Sequence, residues 1–410
     1  MINPKTIDME SRNLMPGRWR YFPGSSVYAC LAALLVMLAG CSEPAIQKLE
    51  GPAQGTTYHI SYWSESPIDG ADVKAGIESE FAAIDKLLSN YRNDSVIEMF
   101  NSAENTDSQE VGGEIVSLVK IAQAVYQASQ GCYDLTIKPL FDLWGFRGDA
   151  LTIPDAAAIR KTLSLIGMEK LEVVDETHLR KKQSGLKVDL SSIAQGYSVE
   201  RISHVLEQKG ITNYLVEIGG ELKTQGHKPD AKPWRIAVER PLPGEQVMQK
   251  VMTLPKDTPT AVMTSGTYRH YFDDHGQRYS HILDARTGKP VTHNLVSVTV
   301  LHNNPAIADA WSTALLCLGQ KDGMKAANTE KIAALFIEQQ DKELIESRSD
   351  AFDYMAATAP GSLAAFPPSM EVRSGGTTPR MGEVEQRMER LPRAMHGAIA
   401  ENTLDTLTIH

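Results

Sequence analysis

The chain has 410 residues, 42% of them hydrophobic and 22% charged, and carries a formal net charge of −10. Such a composition belongs to a globular protein with a real core, and the length allows two or three ordinary domains. The acidic balance and the lack of any Lys/Arg-rich run exclude a nucleic-acid binder, while leaving a small-molecule substrate open.

In chain order, Arg12, Arg18 and Arg20 come first and lead into an apolar run over residues 27–39. About a dozen apolar residues cannot span a bilayer as a stable helix, but they suit the hydrophobic region of a signal peptide. The run ends in Leu38-Ala39-Gly40-Cys41, which resembles the bacterial lipobox. By that resemblance residues 1–40 would be removed and Cys41 would be lipidated, with 41–50 as a polar linker. The long basic stretch suggests Met15 as the true start. The chain is then expected outside the cytoplasm, held to a bacterial membrane by acyl chains and facing the periplasm. Ser42, where Asp is absent, favours the outer membrane. No other apolar run is long enough to cross a bilayer. Of the four cysteines, Cys30 lies in the signal segment and Cys41 at the lipid site. The remaining two, Cys132 in GCYDL and Cys317 in LLCLG, sit in apolar contexts that favour two buried thiols over a disulfide.

The folded part is expected to begin near Leu49. GTTYHISYW has the β-branched and aromatic residues of a strand. Residues 72–88 repeat apolar side chains at Val73, Ile77, Phe81, Ile84 and Leu88, a helical period. The polar loop LSNYRNDS follows, and then a second amphipathic helix over 115–128, closed by Gly131. KVDL predicts a short strand running into a helix that Ser191 or Ser192 would cap and Gly210 would stop. NYLVEIGG, WRIAVERP, TAVMTSGTYRHYF and LVSVTVLH predict further strands. Asn304 and Pro305 fit the N-cap and first position of the next helix, and residues 324–337 look helical and then strand-like. Strands and helices intermix without a regular βα repeat, so an α+β fold of two layered lobes is expected rather than a doubly wound sheet. From residue 341 the chain reads as an extension. Beyond about 360 it is poor in long apolar residues and is expected to be largely disordered, with at best a weak helix over 387–396.

The common nucleotide and hydrolase motifs are missing: there is no GxGxxG after a strand, no GxxxxGK[ST], no HExxH and no GxSxG. Four less generic clusters remain. In Asp189-Leu-Ser-Ser192-Ile-Ala-Gln195-Gly196-Tyr197 a helix start offers backbone N–H groups and hydroxyls to a phosphate. Gly131-Cys132-Tyr133-Asp134 places an aromatic and an acid at a turn, a wall for a planar ring. Met263-Thr264-Ser265-Gly266-Thr267 sets hydroxyls around a glycine, suited to a phosphate-facing loop. In ADAWSTAL, Asp309 and Thr313 stand at i, i+4 on one helical face. A carboxylate and a hydroxyl so placed are hard oxygen ligands of the kind Mg²⁺ takes alongside phosphate oxygens and water.

In this order the clusters, together with GTTYHI, LSNYRNDSVI, EIGGELKTQG, WRIAVERP and YSHILDARTGKPV, resemble the ApbE family of flavin transferases. The resemblance covers roughly residues 51–337, and a domain over 51–340 is expected to carry it. It implies an enzyme that splits the pyrophosphate of FAD and attaches FMN, through its phosphate, to a Ser or Thr of a target protein, releasing AMP. It further implies that the FAD site lies between the two lobes and is lined by Tyr91, Cys132, Tyr133, Asp134, Asp189, Gln195 and Ile282. Ser265 joins the list from its own loop chemistry. Mg²⁺ would be held by Asp309 and Thr313 with the backbone carbonyl of Ser192, and His281 would act as acid/base group beside the catalytic Asp309. Acceptors would be redox proteins carrying a short Asp-Gly-x-Ser/Thr-type motif, such as subunits of ion-pumping electron-transport complexes. The sequence departs from the family at Gln54, where Met is common, and at Gln195, where Glu or Lys is common.

The residue types suit phosphoryl transfer, which needs charge neutralisation and in-line positioning more than an elaborate base. An imidazole that titrates near neutral pH can take a hydroxyl proton. Two other functions use the same residues. One is a Mg²⁺-dependent FAD pyrophosphatase with water as acceptor; the other is a non-catalytic flavin-binding lipoprotein, which would have no need of Asp309 and Thr313. His59, His204, His227, His293 and His302 show no ligand spacing.

Overall fold

The computed structural model describes residues 44–408 except 147–150, 242–247, 257, 269–270, 275–276, 342 and 359–406. Cys41, the signal segment and the expected helix over 387–396 lie outside the described residues. Among these, no helix is long and apolar enough to cross a membrane.

The fold is α+β. Its frame is an eight-stranded sheet, in spatial order Gln47–Ala53, Thr56–Trp63, Asn213–Ile218, Glu221–Gln225, Thr260–Gly266, Leu295–His302, Ala333–Gln340 and Glu343–Arg348. Every neighbouring pair is antiparallel. Successive side chains of a strand point to opposite faces, and the central strands divide their apolar residues accordingly. Val216, Ile218, Met263, Val298, Val300 and Phe336 belong to one core; Leu215, Leu222, Val262, Leu301 and Leu335 belong to another. The first core is closed by the helices Gly70–Leu88, Gly113–Ala128, Ser191–Gln208 and Pro305–Thr329. The second is closed by the strands Arg235–Glu239 and Met248–Thr253 and the helix Asp350–Thr358, through Trp234, Ile236, Val238, Met252 and Phe352. A third, smaller cluster joins Leu140, Trp144, Ile159 and Ile166 to Leu283 and Ala285.

The helix of Val73, Ile77, Phe81, Ile84 and Leu88 spans Gly70–Leu88, with all five side chains buried and Asp69 as its cap. In the loop after it, Ser95 caps a short helix, Val96–Ser102, that the sequence pattern does not announce. KVDL forms no strand, contrary to expectation. Its backbone is served by a side chain instead: Val188 N–H donates to Asn101 Oδ1 at 2.7 Å, and Asn101 Nδ2 donates to the Val188 carbonyl at 2.8 Å. An amide can satisfy both polar groups of one residue as a neighbouring strand would, so no ladder forms. The following helix, Ser191–Gln208, is not capped by Ser191 or Ser192 either. Its N-cap position is Leu190, and Asp189 Oδ1 accepts the Ser191 N–H at 2.9 Å.

Asn304 and Pro305 behave as their types require: the Asn304 side chain accepts the Ile307 N–H at 3.0 Å, and the helix runs Pro305–Thr329. It is broken at Gly319, whose φ of 78° and ψ of 174° no continuous helix can hold. The Cys132 and Cys317 thiols expected to be separate are joined in a disulfide. The two cysteines are 185 residues apart, so their local apolar contexts report burial and nothing of each other. Of the stretch expected as an extension from residue 341, Glu343–Arg348 is the edge strand of the main sheet, Asp350–Thr358 packs through Phe352, and Leu407–Thr408 pairs in parallel with Arg235–Glu239.

Candidate active site

The site forms where the Ser191–Gln208 helix packs on the Pro305–Thr329 helix and the latter meets the end of the Thr260–Gly266 strand. The crossing is closest at Gly196. A Cβ there would lie 2.4 Å from the Pro305 carbonyl oxygen and 2.8 Å from Asp309 Cβ, so no larger residue fits. The closeness lets the Gly196 N–H donate to Asp309 Oδ2 at 2.8 Å. In a regular helix that N–H serves the carbonyl of Ser192. Asp309 is thus a side-chain acceptor for the N–H that lies one turn beyond the Ser192 carbonyl. We expect Gly196→Ala to force the helices apart and destabilise the protein by about 1–3 kcal/mol, readable as a lowered denaturation midpoint, with loss of activity.

Asp309 is buried, and burial lifts its pKa to about 7, against the opposing Gly196 hydrogen bond. Among the described residues no Lys, Arg or His pairs with it. Thr313, one turn on, accompanies it on the same helix face. Ser265 Oγ lies 3.0 Å from Thr313 Oγ1 and 2.7 Å from Ser312 Oγ, and Ser312 donates to the Asp309 carbonyl at 2.9 Å. A buried carboxylate without a cationic partner and a neighbouring hydroxyl on the same helix face are hard oxygen donors that fit a divalent cation.

Around this cluster the remaining candidates fall into three groups. Tyr133 is buried and accepts a hydrogen bond from Ser192 Oγ at 3.2 Å. Burial raises its pKa; the Ser192 bond opposes the rise, and the charges of Asp309, Asp134 and Asp189 add to it. Asp189 accepts from Asn90 Nδ2 at 3.0 Å, and the same amide reaches Ser191 Oγ at 3.2 Å. Tyr91, next to Asn90, is 81% exposed. Gln195 donates to the Ile218 carbonyl at 3.3 Å, and its amide covers Gly219 of the EIGG turn. Gln54, at the tight turn between the first two strands, donates to Ser198 Oγ at 2.9 Å rather than standing free.

Asp134 is engaged by its own turn. Its Oδ1 accepts the Thr136 N–H at 2.7 Å and the Thr136 hydroxyl at 2.6 Å, capping the turn Leu135–Ile137. It also lines a cavity of 260 Å³ with Tyr126, Gly167, Glu169 and Arg286. Burial raises its pKa to about 6, against the Thr136 bonds. An unfolded Asp titrates near pH ~3.9. Between roughly pH 4 and 6 the folded chain therefore holds a proton that the unfolded chain has released. Stability present below about pH 4 is lost as the pH rises through 6, by on the order of 3 kcal/mol. Asp134→Asn keeps the acceptor oxygen and removes the titration. We expect its urea midpoint to fall less across that window than the parent's, the remaining fall being that of the other buried carboxyl, Asp309.

Cys132 is tied by its disulfide to Cys317 on the Asp309 helix, and its carbonyl accepts the Ala285 N–H at 3.4 Å. These two links hold the Cys132–Asp134 turn and the 282–285 segment against one helix. Ile282 is buried there, while His281 is half-buried beside it. Asp284 pairs with Arg286 at 2.8 Å and so closes the turn of the ARTG motif. Sequence reasoning missed Gly196, Ser312 and Asn90. The first two stand inside motifs it singled out, with nothing to mark them; Asn90 lies in the polar loop LSNYRNDS. His59, given no role, pairs with the buried Glu217 at 2.7 Å.

The ApbE family model matches residues 54–336 of this chain. The chain belongs to the ApbE family. Among its relatives, the FAD:protein FMN transferase of Vibrio cholerae is 37% identical over 324 residues, 78% of this chain and 96% of the relative. That of Salmonella typhimurium is 34% identical over 321 residues, 75% and 91% of the two chains. The apo crystal structure of the ApbE flavinyl transferase from Pseudomonas stutzeri superposes with a TM-score of 0.70 at 36% identity, over 77% of this chain and 98% of that one. The ApbE protein of Thermotoga maritima gives 0.67 at 30% identity, over 76% and 99%. The helix crossing at Gly196 and the Asp309–Thr313 pair both fall within the ApbE match.

Proposed function

We infer that this chain is an FAD:protein FMN transferase: it cleaves FAD and attaches FMN by a phosphoester bond to a Ser or Thr of an acceptor protein, releasing AMP. The observation that carries the reading is the buried Asp309 carboxylate, held by the Gly196 N–H and flanked by Thr313, in a chain of the ApbE family. Asp309, Thr313 and the Ser192 carbonyl are the residues that would hold Mg²⁺. When bound, the ion supplies neutralisation of the pyrophosphate oxygens.

The chain's own groups do the rest. The start of the Ser191–Gln208 helix directs N–H groups at an anion, and Asp189, already anchored by Ser191 N–H and Asn90, offers its carboxylate to a flavin or ribityl donor. Tyr91, Tyr133, Gln195 and Ile282 surround the dinucleotide. His281 takes the proton from the acceptor hydroxyl, as an imidazole can near neutral pH. Ser265 is taken up by Ser312 and Thr313, which supports a place beside the cation rather than on a phosphate.

The protein acts outside the cytoplasm, tethered by lipidated Cys41, on redox proteins with an exposed Ser/Thr motif. The lipobox-like Leu38–Cys41 sequence and the Cys132–Cys317 disulfide support this, since disulfides persist in oxidising compartments. The test incubates the mature protein with FAD, Mg²⁺ and a candidate acceptor domain. AMP release together with covalent flavin fluorescence on the acceptor is expected. AMP without labelled acceptor means a pyrophosphatase, and bound FAD with no AMP means a binding protein; either overturns the transferase.

A further inference from the structure

The three hydroxyls beside Asp309 form a chain whose proton directions can be assigned from donor counting. A hydroxyl has one proton to give and two lone pairs to receive with, whereas a carbonyl oxygen only receives. Ser312 is fully buried and lies 2.9 Å from the Asp309 carbonyl, so its single proton goes there. Its Oγ then receives at the 2.7 Å contact, and the donor must be Ser265. With that proton committed, Ser265 Oγ receives at its 3.0 Å contact with Thr313 Oγ1, and Thr313 is the donor. The Thr313 proton therefore points at the strand, and its lone pairs point away from it. Strand alternation makes this possible: Met263 and Ser265 share the face that packs on the Asp309 helix, while Thr264 bonds Thr299 on the opposite face at 2.9 Å.

We propose that Ser265 and Ser312 are positioning residues, which lock the Thr313 hydroxyl with its oxygen presented as a ligand to a divalent cation shared with Asp309. The proposal rests on the metal reading of the site given above. Neither serine touches the cation. Their role is to make the Thr313 oxygen an acceptor before any ion arrives, so that binding need not reorder a rotor. A hydroxyl held by a metal is also a stronger donor than a free one, which reinforces the direction Thr313→Ser265. Removing either serine breaks the same line of bonds, so their effects overlap.

The test titrates the full mature chain with Mn²⁺ alone, read by electron paramagnetic resonance of the free ion. Ser265→Ala and Ser312→Ala are each expected to weaken Mn²⁺ binding by about tenfold, the lower end of what loss of an outer partner costs a metal site. The double variant is expected to bind no more weakly than the worse single one, because both interrupt one chain. Ser265→Thr, which restores the hydroxyl on a strand that accepts β-branched residues, should regain the parent affinity. Thr264→Val, which deletes the hydroxyl pair on the other face, should leave it unchanged; a loss there equal to that of Ser265→Ala would mean a merely structural effect and overturn the proposal. Circular dichroism melts establish which variants are folded. If Ser312→Ala does not fold, the half-buried Ser265→Ala and its threonine rescue decide the matter alone. Parent-like Mn²⁺ affinity in Ser265→Ala, with binding abolished in Asp309→Ala, overturns the positioning role and leaves the metal reading standing. Parent-like affinity in Asp309→Ala overturns both.

Discussion

Asp309→Asn is expected to lower transferase turnover by about 10³-fold while the fold is kept. The magnitude follows from losing metal-based charge stabilisation worth several kcal/mol, with roughly 1.4 kcal/mol per decade of rate. The asparagine oxygen can still accept the Gly196 N–H that holds the two helices together, so the crossing survives. What disappears is the negative charge in a buried site. That charge is costly without a cation, as the lifted pKa of about 7 shows, with burial as its cause. The asparagine chain without metal should therefore melt no lower than the parent at pH 8, where the parent carries a buried carboxylate. Mg²⁺ should raise the parent's melting temperature and leave the variant's unmoved. FAD binding should weaken far less than turnover, because the contacts proposed for the flavin lie on Tyr91, Asp189 and the 131–134 turn. Activity within tenfold of the parent, or a Mg²⁺-dependent melting shift in the variant, would remove Asp309 from the metal site.

Reduction of the Cys132–Cys317 disulfide is expected to produce the largest change in stability. Chain-entropy reasoning for a closed loop of 185 residues gives about 5 kcal/mol as an upper figure. Cys132→Ala/Cys317→Ala should accordingly lower the melting temperature by several degrees, roughly 2–4 °C per kcal/mol lost at this size. The bond also has a local task. It joins the turn that carries Tyr133 and Asp134 to the helix that carries Asp309, while the Ser192–Tyr133 contact ties the same turn to the Ser191–Gln208 helix. With the bond gone, the KM for FAD is expected to rise more than kcat falls, since the turn is proposed to line the dinucleotide while Asp309 and Thr313 remain on their helix. Measuring both constants with and without reductant, in the parent and the double variant, checks this. A parent insensitive to reductant, with a variant of equal stability, would show that the bond contributes nothing.

The ways in which the sequence was right or wrong follow from distance along the chain. The helix of Val73, Ile77, Phe81, Ile84 and Leu88 was legible because a period of 3.6 is a local property, and the same holds for the Asn304–Pro305 helix start. KVDL had the composition of a strand, yet a side chain more than eighty positions earlier, Asn101, took the backbone groups that a neighbouring strand would have used. Ser191 and Ser192 had the right types for a cap, yet Asp189 reached the helix start first. Asp309 and Thr313 could be picked out as a pair from their spacing alone. Nothing local said that the carboxylate would be buried against Gly196, and that burial sets its chemistry.

The sequence by itself determined the α+β pattern, the candidate ligand pair and, through the order of its motifs, the resemblance to the ApbE family. Each is written in spacings of a few residues or in the succession of short segments, and so survives without knowledge of what packs on what. The tertiary structure alone decided the disulfide, the close helix crossing at Gly196 and the hydroxyl line from Ser312 through Ser265 to Thr313. These join residues 185, 113 and 47 positions apart. Contacts of that range depend on which faces the sheet and its helices bring together, and no local spacing encodes that choice.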